Sequence, residues 1–211
     1  MARRTKAEAE ATREALLDAA EDLFFEHGVA RTSLEQIARH TGVTRGAIYW
    51  HFKNKADLFH ALLERVRMPF EELLDEVDEP ALQDAPLEAL RLACHQGLRR
   101  LEQPQVRRVH AILLHRCEFF SDIDPLEMQN RLADECRGEM CVQFHKAHEL
   151  DLLNPALTPE KATRLLQSTL GGLFHDWLRE PERYSLSHEG GALVDTLFQL
   201  MSHSPQHSSH P

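Results

Sequence analysis

Residues 28–64 read GVARTSLEQIARHTGVTRGAIYWHFKNKADLFHALLE, and the punctuation of this stretch decides the fold. Gly28 ends a helix expected from about Ala9 to His27, in which Leu16, Leu17, Ala20, Leu23 and Phe24 share one face. Thr32 is expected to cap a second helix, with Glu35 reaching back as the partner of a T-x-x-E capping box. That helix stops at Gly42, which suits a left-handed turn. Thr44 caps a short third helix ending near Phe52, and Asn54 caps a fourth that the apolar spacing carries toward Val77.

Two short helices joined by a tight glycine turn make a helix-turn-helix, whose second helix must project into a DNA major groove. Ala38 is small where the helices meet, and Ile37, Val43, Ile48 and Phe52 supply the packing that sets their crossing. The other face of the third helix carries Arg45 and Tyr49 at i and i+4, with Gly46 and Trp50 alongside. Arg45 suits a bidentate contact to guanine, and Gly46 lets the backbone approach base edges. Thr44, Tyr49, Trp50, His51 and Lys55 offer donors for phosphate oxygens. The other reading of Tyr49, Trp50 and His51 is that they pack the small domain.

Total charge opposes DNA binding, since the 211-residue chain has a net charge of −10. Its distribution answers the objection. Residues 1–55 hold nine Lys/Arg against eight Asp/Glu, so the remainder carries −11. Between Glu35 and Asp57 there is no acid, while Arg39, Arg45, Lys53 and Lys55 are all basic, and Arg3, Arg4 and Lys6 add a basic arm.

Downstream, helical periodicity places further helices at about Leu87–Glu102, Gln105–Phe119, Pro125–Leu150, Pro159–Arg179 and His188–Ser202, and no stretch alternates as a strand would. The expected fold is all-α with about nine helices: a DNA-binding domain over 1–53, a larger ligand-binding and dimerisation domain over 54–203, and a disordered tail over 204–211. No export signal or membrane-length apolar run is evident, so a cytoplasmic protein without a membrane partner is expected. Cys94, Cys117, Cys136 and Cys141 lack paired C-x-x-C spacing and are read as free thiols. There is no phosphate-cradling glycine loop, G-x-S-x-G or H-E-x-x-H, which argues against an enzyme.

The stretch Gly28–Glu64, with the opening ARRTKAEAEATRE, resembles the DNA-binding domain of TetR-family regulators, especially the AcrR and TtgR group that represses multidrug efflux genes. The likeness covers the first third strongly and later parts in patches such as Arg107–Phe119. It implies DNA contacts at Thr32, Ser33, Thr44, Arg45, Gly46, Tyr49, Trp50, His51 and Lys55. It also implies a homodimer through the last two long helices, where Leu166, Leu170, Leu173, Trp177, Leu193 and Leu197 form apolar stripes and Gly171 and Gly172 permit close approach. Finally, it implies operator release by a hydrophobic or aromatic inducer. Candidate lining residues are Phe70, His110, Leu114, Cys117, Met140, Phe144, Phe174 and His175, each of which would serve equally as core.

A competing reading is a metal- or redox-responsive regulator of the same fold. Cys141, His145, His148 and Glu149 share a helix face and have the chemistry of zinc or copper ligands. One straight helix rarely surrounds an ion, and no second cluster is evident, so no metal or cofactor is expected. Thiol oxidation at Cys117, Cys136 or Cys141 is the other alternative, although no basic neighbourhood is apparent to activate a thiol.

Overall fold

The computed structural model describes residues 6–77, 82, 84–119 and 123–203. The expected N-terminal arm at Arg3 and Arg4, parts of the loop after Val77, and the tail over 204–211 lie outside the described residues. Among the described residues there are ten α-helices and no β-strand beyond one isolated bridge, Leu153 with Ser202. They form two compact units, Met1–Arg67 with Pro104–Gln129, and Met68–Gln103 with Asn130–Pro211. These units do not follow the expected boundary at residue 53. The fourth helix and the 104–129 segment pack on the first helix.

In the first unit, α1 (Lys6–His27) buries Leu16, Leu17, Ala20, Leu23 and Phe24, the expected face. Gly28 ends it at φ +85°, with its N–H donating to the Phe24 carbonyl. α2 (Leu34–Thr41) is capped one residue later than expected. Ser33 Oγ accepts from the Gln36 N–H at 3.2 Å, and Gln36 Oε1 accepts from the Ser33 N–H at 2.7 Å. Thr32 cannot serve as the cap because its side chain is buried and its hydroxyl donates to the carbonyls of Gly28 (2.9 Å) and Leu23 (3.3 Å). Gly42 then turns the chain at φ +75° into α3 (Arg45–His51), capped by Thr44 as expected.

α4 (Lys55–Glu64) starts at the Asn54 cap but ends far short of Val77. Pro69 explains the break, because it has no N–H and disfavours helical backbone in the residue before it. α4 is held by Leu58, Phe59 and Leu62, with Phe59 edge-on to Phe24 at 5.9 Å between centroids. α7 (Pro104–Ala111) closes this unit and continues as a π-type turn over Ile112–Arg116. Its Val106, Val109, Ile112 and Leu113 are buried, and the Arg116 carbonyl accepts from the Val29 N–H at 3.0 Å.

The second unit contains α5 (Phe70–Asp75), α6 (Pro86–Leu101), most of α8 (Pro125–Glu149), α9 (Pro159–Arg179) and α10 (Gly191–Met201), which a π-type turn over Leu186–Gly190 precedes. Phe144 stacks on Phe198 at 6.4 Å, and the buried Trp177 indole donates to the Tyr184 carbonyl at 3.2 Å. α6 and α10 are joined by a polar cluster. Asp195 Oδ1 lies 2.6 Å from Arg91 Nη1 and 2.7 Å from His95 Nε2, while Glu88 takes the other arm of Arg91 at 2.6 Å.

Candidate nucleic-acid interface and sensor residues

The helix-turn-helix is fixed from beneath. Ile37, Ala38, Ile48 and Phe52 are buried between α1, α2 and α3, so the opposite side of α3 has to face solvent. Trp50 is 72% exposed and Tyr49 42% exposed, with Thr44, Arg45 and Gly46 exposed beside them. The alternative in which Trp50 packs the domain therefore does not hold. His51 is half-buried, edge-on to the Trp50 ring at 4.6 Å. Exposed Arg39, His40 and Lys53 extend the basic rim.

Glu35, expected in a capping box, instead faces α3. Its Oε1 lies 3.2 Å from Arg45 Nε and accepts from the Tyr49 hydroxyl at 3.1 Å, while the Arg45 guanidinium lies 5.6 Å from the Tyr49 ring centroid. The shift of the cap to Ser33 is what frees Glu35 for this contact. Its own backbone N–H, then the Tyr49 hydroxyl and the Arg45 charge, hold its carboxyl below the usual range. The pair is exposed and exchangeable, so it steers Arg45 without locking it.

Thr32 and Lys55 both make hydrogen bonds to backbone carbonyls within the unit. Thr32 is committed to the α1–α2 turn. Lys55 Nζ donates to the carbonyls of Val29 (2.7 Å), Thr32 (2.9 Å) and Ala30 (3.2 Å), tying the start of α4 to that turn. Burial lowers its pKa. Its ammonium, so placed, fixes the start of α4 against the helix-turn-helix. Ser33, half-buried, caps α2.

The expected ligand residues divide between the units. His110, Leu114 and Cys117 belong to the first, and Phe70, Met140, Phe144, Phe174 and His175 to the second. His110 Nδ1 pairs with the Val106 carbonyl at 2.8 Å, and burial lowers its pKa. Met140 and Phe144 are buried one turn apart on α8, and Phe174 stacks on Trp177 at 6.4 Å. His175 is exposed and lines no interior of this chain. Burial pushes the Cys117 thiol up to about 11 and raises Cys136 as well, the opposite of an activated redox thiol. The second unit also has a groove of about 740 Å³ between α6 and α10, lined in part by Leu87, Arg91, Asp195 and Phe198. None of the expected ligand residues lines it.

The expected dimer stripe also needs correction, because Leu166 and Trp177 are fully buried within this chain. Leu170, Leu173 and Leu197 are half-buried. The exposed stripe starts one residue earlier on α9, running Leu165, Ser168, Gly172, and continues on α10 with Leu193, Thr196 and Leu200.

A caulked helix-turn-helix with an outward cationic and aromatic rim, followed by a second helical unit, defines a DNA-binding transcriptional regulator rather than an enzyme. Residues 16–62 match the model for bacterial regulatory proteins of the TetR family, and residues 85–203 match that for the C-terminal region of MAATS-type transcriptional repressors. The chain is 36% identical over 213 residues to the regulator TtgR of Pseudomonas putida, covering 97% of this chain and 98% of the relative. Among solved structures it resembles NalD, the secondary repressor of the MexAB-OprM multidrug efflux pump in Pseudomonas aeruginosa, at 39% identity and TM-score 0.82 over 94% of this chain and 100% of that one. A complex of SmeT, the repressor of a Stenotrophomonas maltophilia multidrug efflux pump, with triclosan gives 36% identity and TM-score 0.79 over 92% of this chain and 93% of that one. The chain belongs to the TetR family.

Proposed function

We propose that this regulator represses a multidrug efflux operon, binding its operator as a homodimer and leaving it when a small hydrophobic or aromatic molecule binds the C-terminal part. The observation that carries the reading is the exposed rim of Arg45, Tyr49 and Trp50 on a helix anchored from its other side by buried Ile48. Arg45 reads a base edge, while Thr44, Tyr49, Trp50 and His51 engage the backbone. The exposed leucines Leu165 on α9 and Leu193 and Leu200 on α10 support a second copy of the chain, which would set two recognition helices roughly 34 Å apart. Likeness to efflux repressors, one of them solved with triclosan, supports the choice of operon and the class of inducer.

Release is a shift of population, and requires that ligand bind the operator-incompetent state more tightly. The chain passes between its two units after Arg67, Gln103 and Gln129, which provides covalent routes for that coupling. Fluorescence anisotropy of labelled upstream DNA tests the proposal. It requires sequence-selective binding with a log–log salt slope of about −0.9 per phosphate neutralised, and dissociation by members of a panel of aromatic antibiotics and phenolics. Indifference to DNA sequence at low salt would remove the repressor reading, and an unmoved complex across the panel would remove the inducer class.

A further inference from the structure

The sequence sets Cys141, His145, His148 and Glu149 along one face of α8, and a single helix offers an ion ligands from one side only. The structure supplies a second side. Glu160, in the first turn of α9, reaches the same place, and ligand atoms of Cys141, His145 and Glu160 all lie within 4.8 Å of one another. His145 Nε2 is 3.3 Å from Glu160 Oε1. His148 and Glu149 fall outside this group. The imidazole and carboxylate are exposed and the thiol half-buried, which gives an ion an entry path from solvent.

We propose that Cys141, His145 and Glu160 form a binding site for a borderline-soft divalent transition-metal ion of the zinc class, with solvent completing its coordination. A sulfur, an imidazole nitrogen and a carboxylate oxygen are donors that zinc takes at about 2.3, 2.0–2.1 and 2.0–2.2 Å. Calcium and magnesium require oxygen donors throughout, so this set disfavours them. Tetrahedral bonds of those lengths put the donors roughly 3.3–3.8 Å apart, so the group must close by about 1 Å. Two of the three side chains are exposed and have rotamer freedom for that closure.

When the ion binds, the metal–sulfur bond forms as the thiol proton leaves to solvent, and the His145–Glu160 attraction is replaced by two bonds to the ion. The result is a clasp between the C-terminal half of α8 and the start of α9. Among the described residues, none of the other three thiols joins a comparable group of donors. The site stands apart from the residues proposed to read DNA, so its existence does not depend on the repressor reading.

The test uses the full chain, reduced and stripped with a chelator, then titrated with cobalt(II) and zinc(II). One cobalt per chain is expected, with a thiolate-to-cobalt charge-transfer band that zinc abolishes by displacement, and zinc should raise the melting temperature. Cys141→Ser should remove the band. His145→Ala and Glu160→Gln, both exposed changes that circular dichroism can verify as folded, should each weaken cobalt binding at least about tenfold. Cys117→Ser and Cys136→Ser should leave the spectrum unchanged. No thiolate band at stoichiometric cobalt, or a band that survives Cys141→Ser, would overturn the site.

Discussion

The chain's two tryptophans lie in opposite settings. Trp50, on α3 of the first unit, is 72% exposed on the outward rim, whereas Trp177, on α9 of the second, is 2% exposed and hydrogen-bonded inside its unit. The first unit buries Phe24, Phe52 and Phe59 in its core but turns Tyr49 and Trp50 of α3 outward. The second unit buries Trp177 with Phe144 and Phe198. Residue type therefore says little about role, and which side of a helix a residue occupies says a great deal.

The largest effect should come from breaking the buried member of this pair. Trp177→Ala should cost about 3–5 kcal/mol of stability in urea denaturation, because it leaves a cavity and an unsatisfied Tyr184 carbonyl. Trp50→Ala should change stability by no more than about 0.5 kcal/mol while weakening operator binding. Comparable destabilisation by both would erase the contrast.

A second experiment sharpens it within the first unit, by comparing a base reader with a positioning lysine. Arg45→Ala should cost about 1–3 kcal/mol on operator and relax base preference, with stability unchanged. Lys55→Met should lower stability by about 1–2 kcal/mol, because three carbonyls lose a charged donor, yet leave the salt slope of DNA binding intact. A slope reduced by about 1 would instead assign Lys55 to a phosphate.

The smallest effect concerns His110. Its folded pKa lies below the ordinary imidazole value of 6.5, so the unfolded chain binds more protons below that pH and stability falls as pH drops through about 6.5 and onward. Thermal melts from pH 7.5 to 5 should show this slope reduced in His110→Gln. An identical slope in the variant would mean that His110 is not a source of the acid sensitivity.

Much of the first unit is legible in the sequence because short-range chemistry determines it. Gly28, Gly42, Thr44 and Asn54 act as stops and caps at the expected positions. The slip from Thr32 to Ser33 arose because two hydroxyl residues compete for one cap, and only the tertiary fold buries the first. Pro69 was a visible stop that apolar spacing obscured. The settings of Lys55, Leu166 and Trp177 are not legible for a different reason. Their partners are distant in sequence or depend on which face of a helix is covered, and periodicity identifies a stripe without naming what lies against it. Glu160 is hidden likewise, since only the meeting of α8 and α9 brings it to Cys141 and His145.

Gly191 carries a consequence for anyone who randomises this chain. A Cβ built there would stand 2.9 Å from the His95 ring, and that ring cannot swing aside freely because Asp195 holds it at 2.7 Å. Saturation mutagenesis with a folding reporter should therefore recover glycine almost alone at position 191. Gly171 and Gly172, whose added carbons would meet nothing within 4 Å, should accept many replacements in a single protomer.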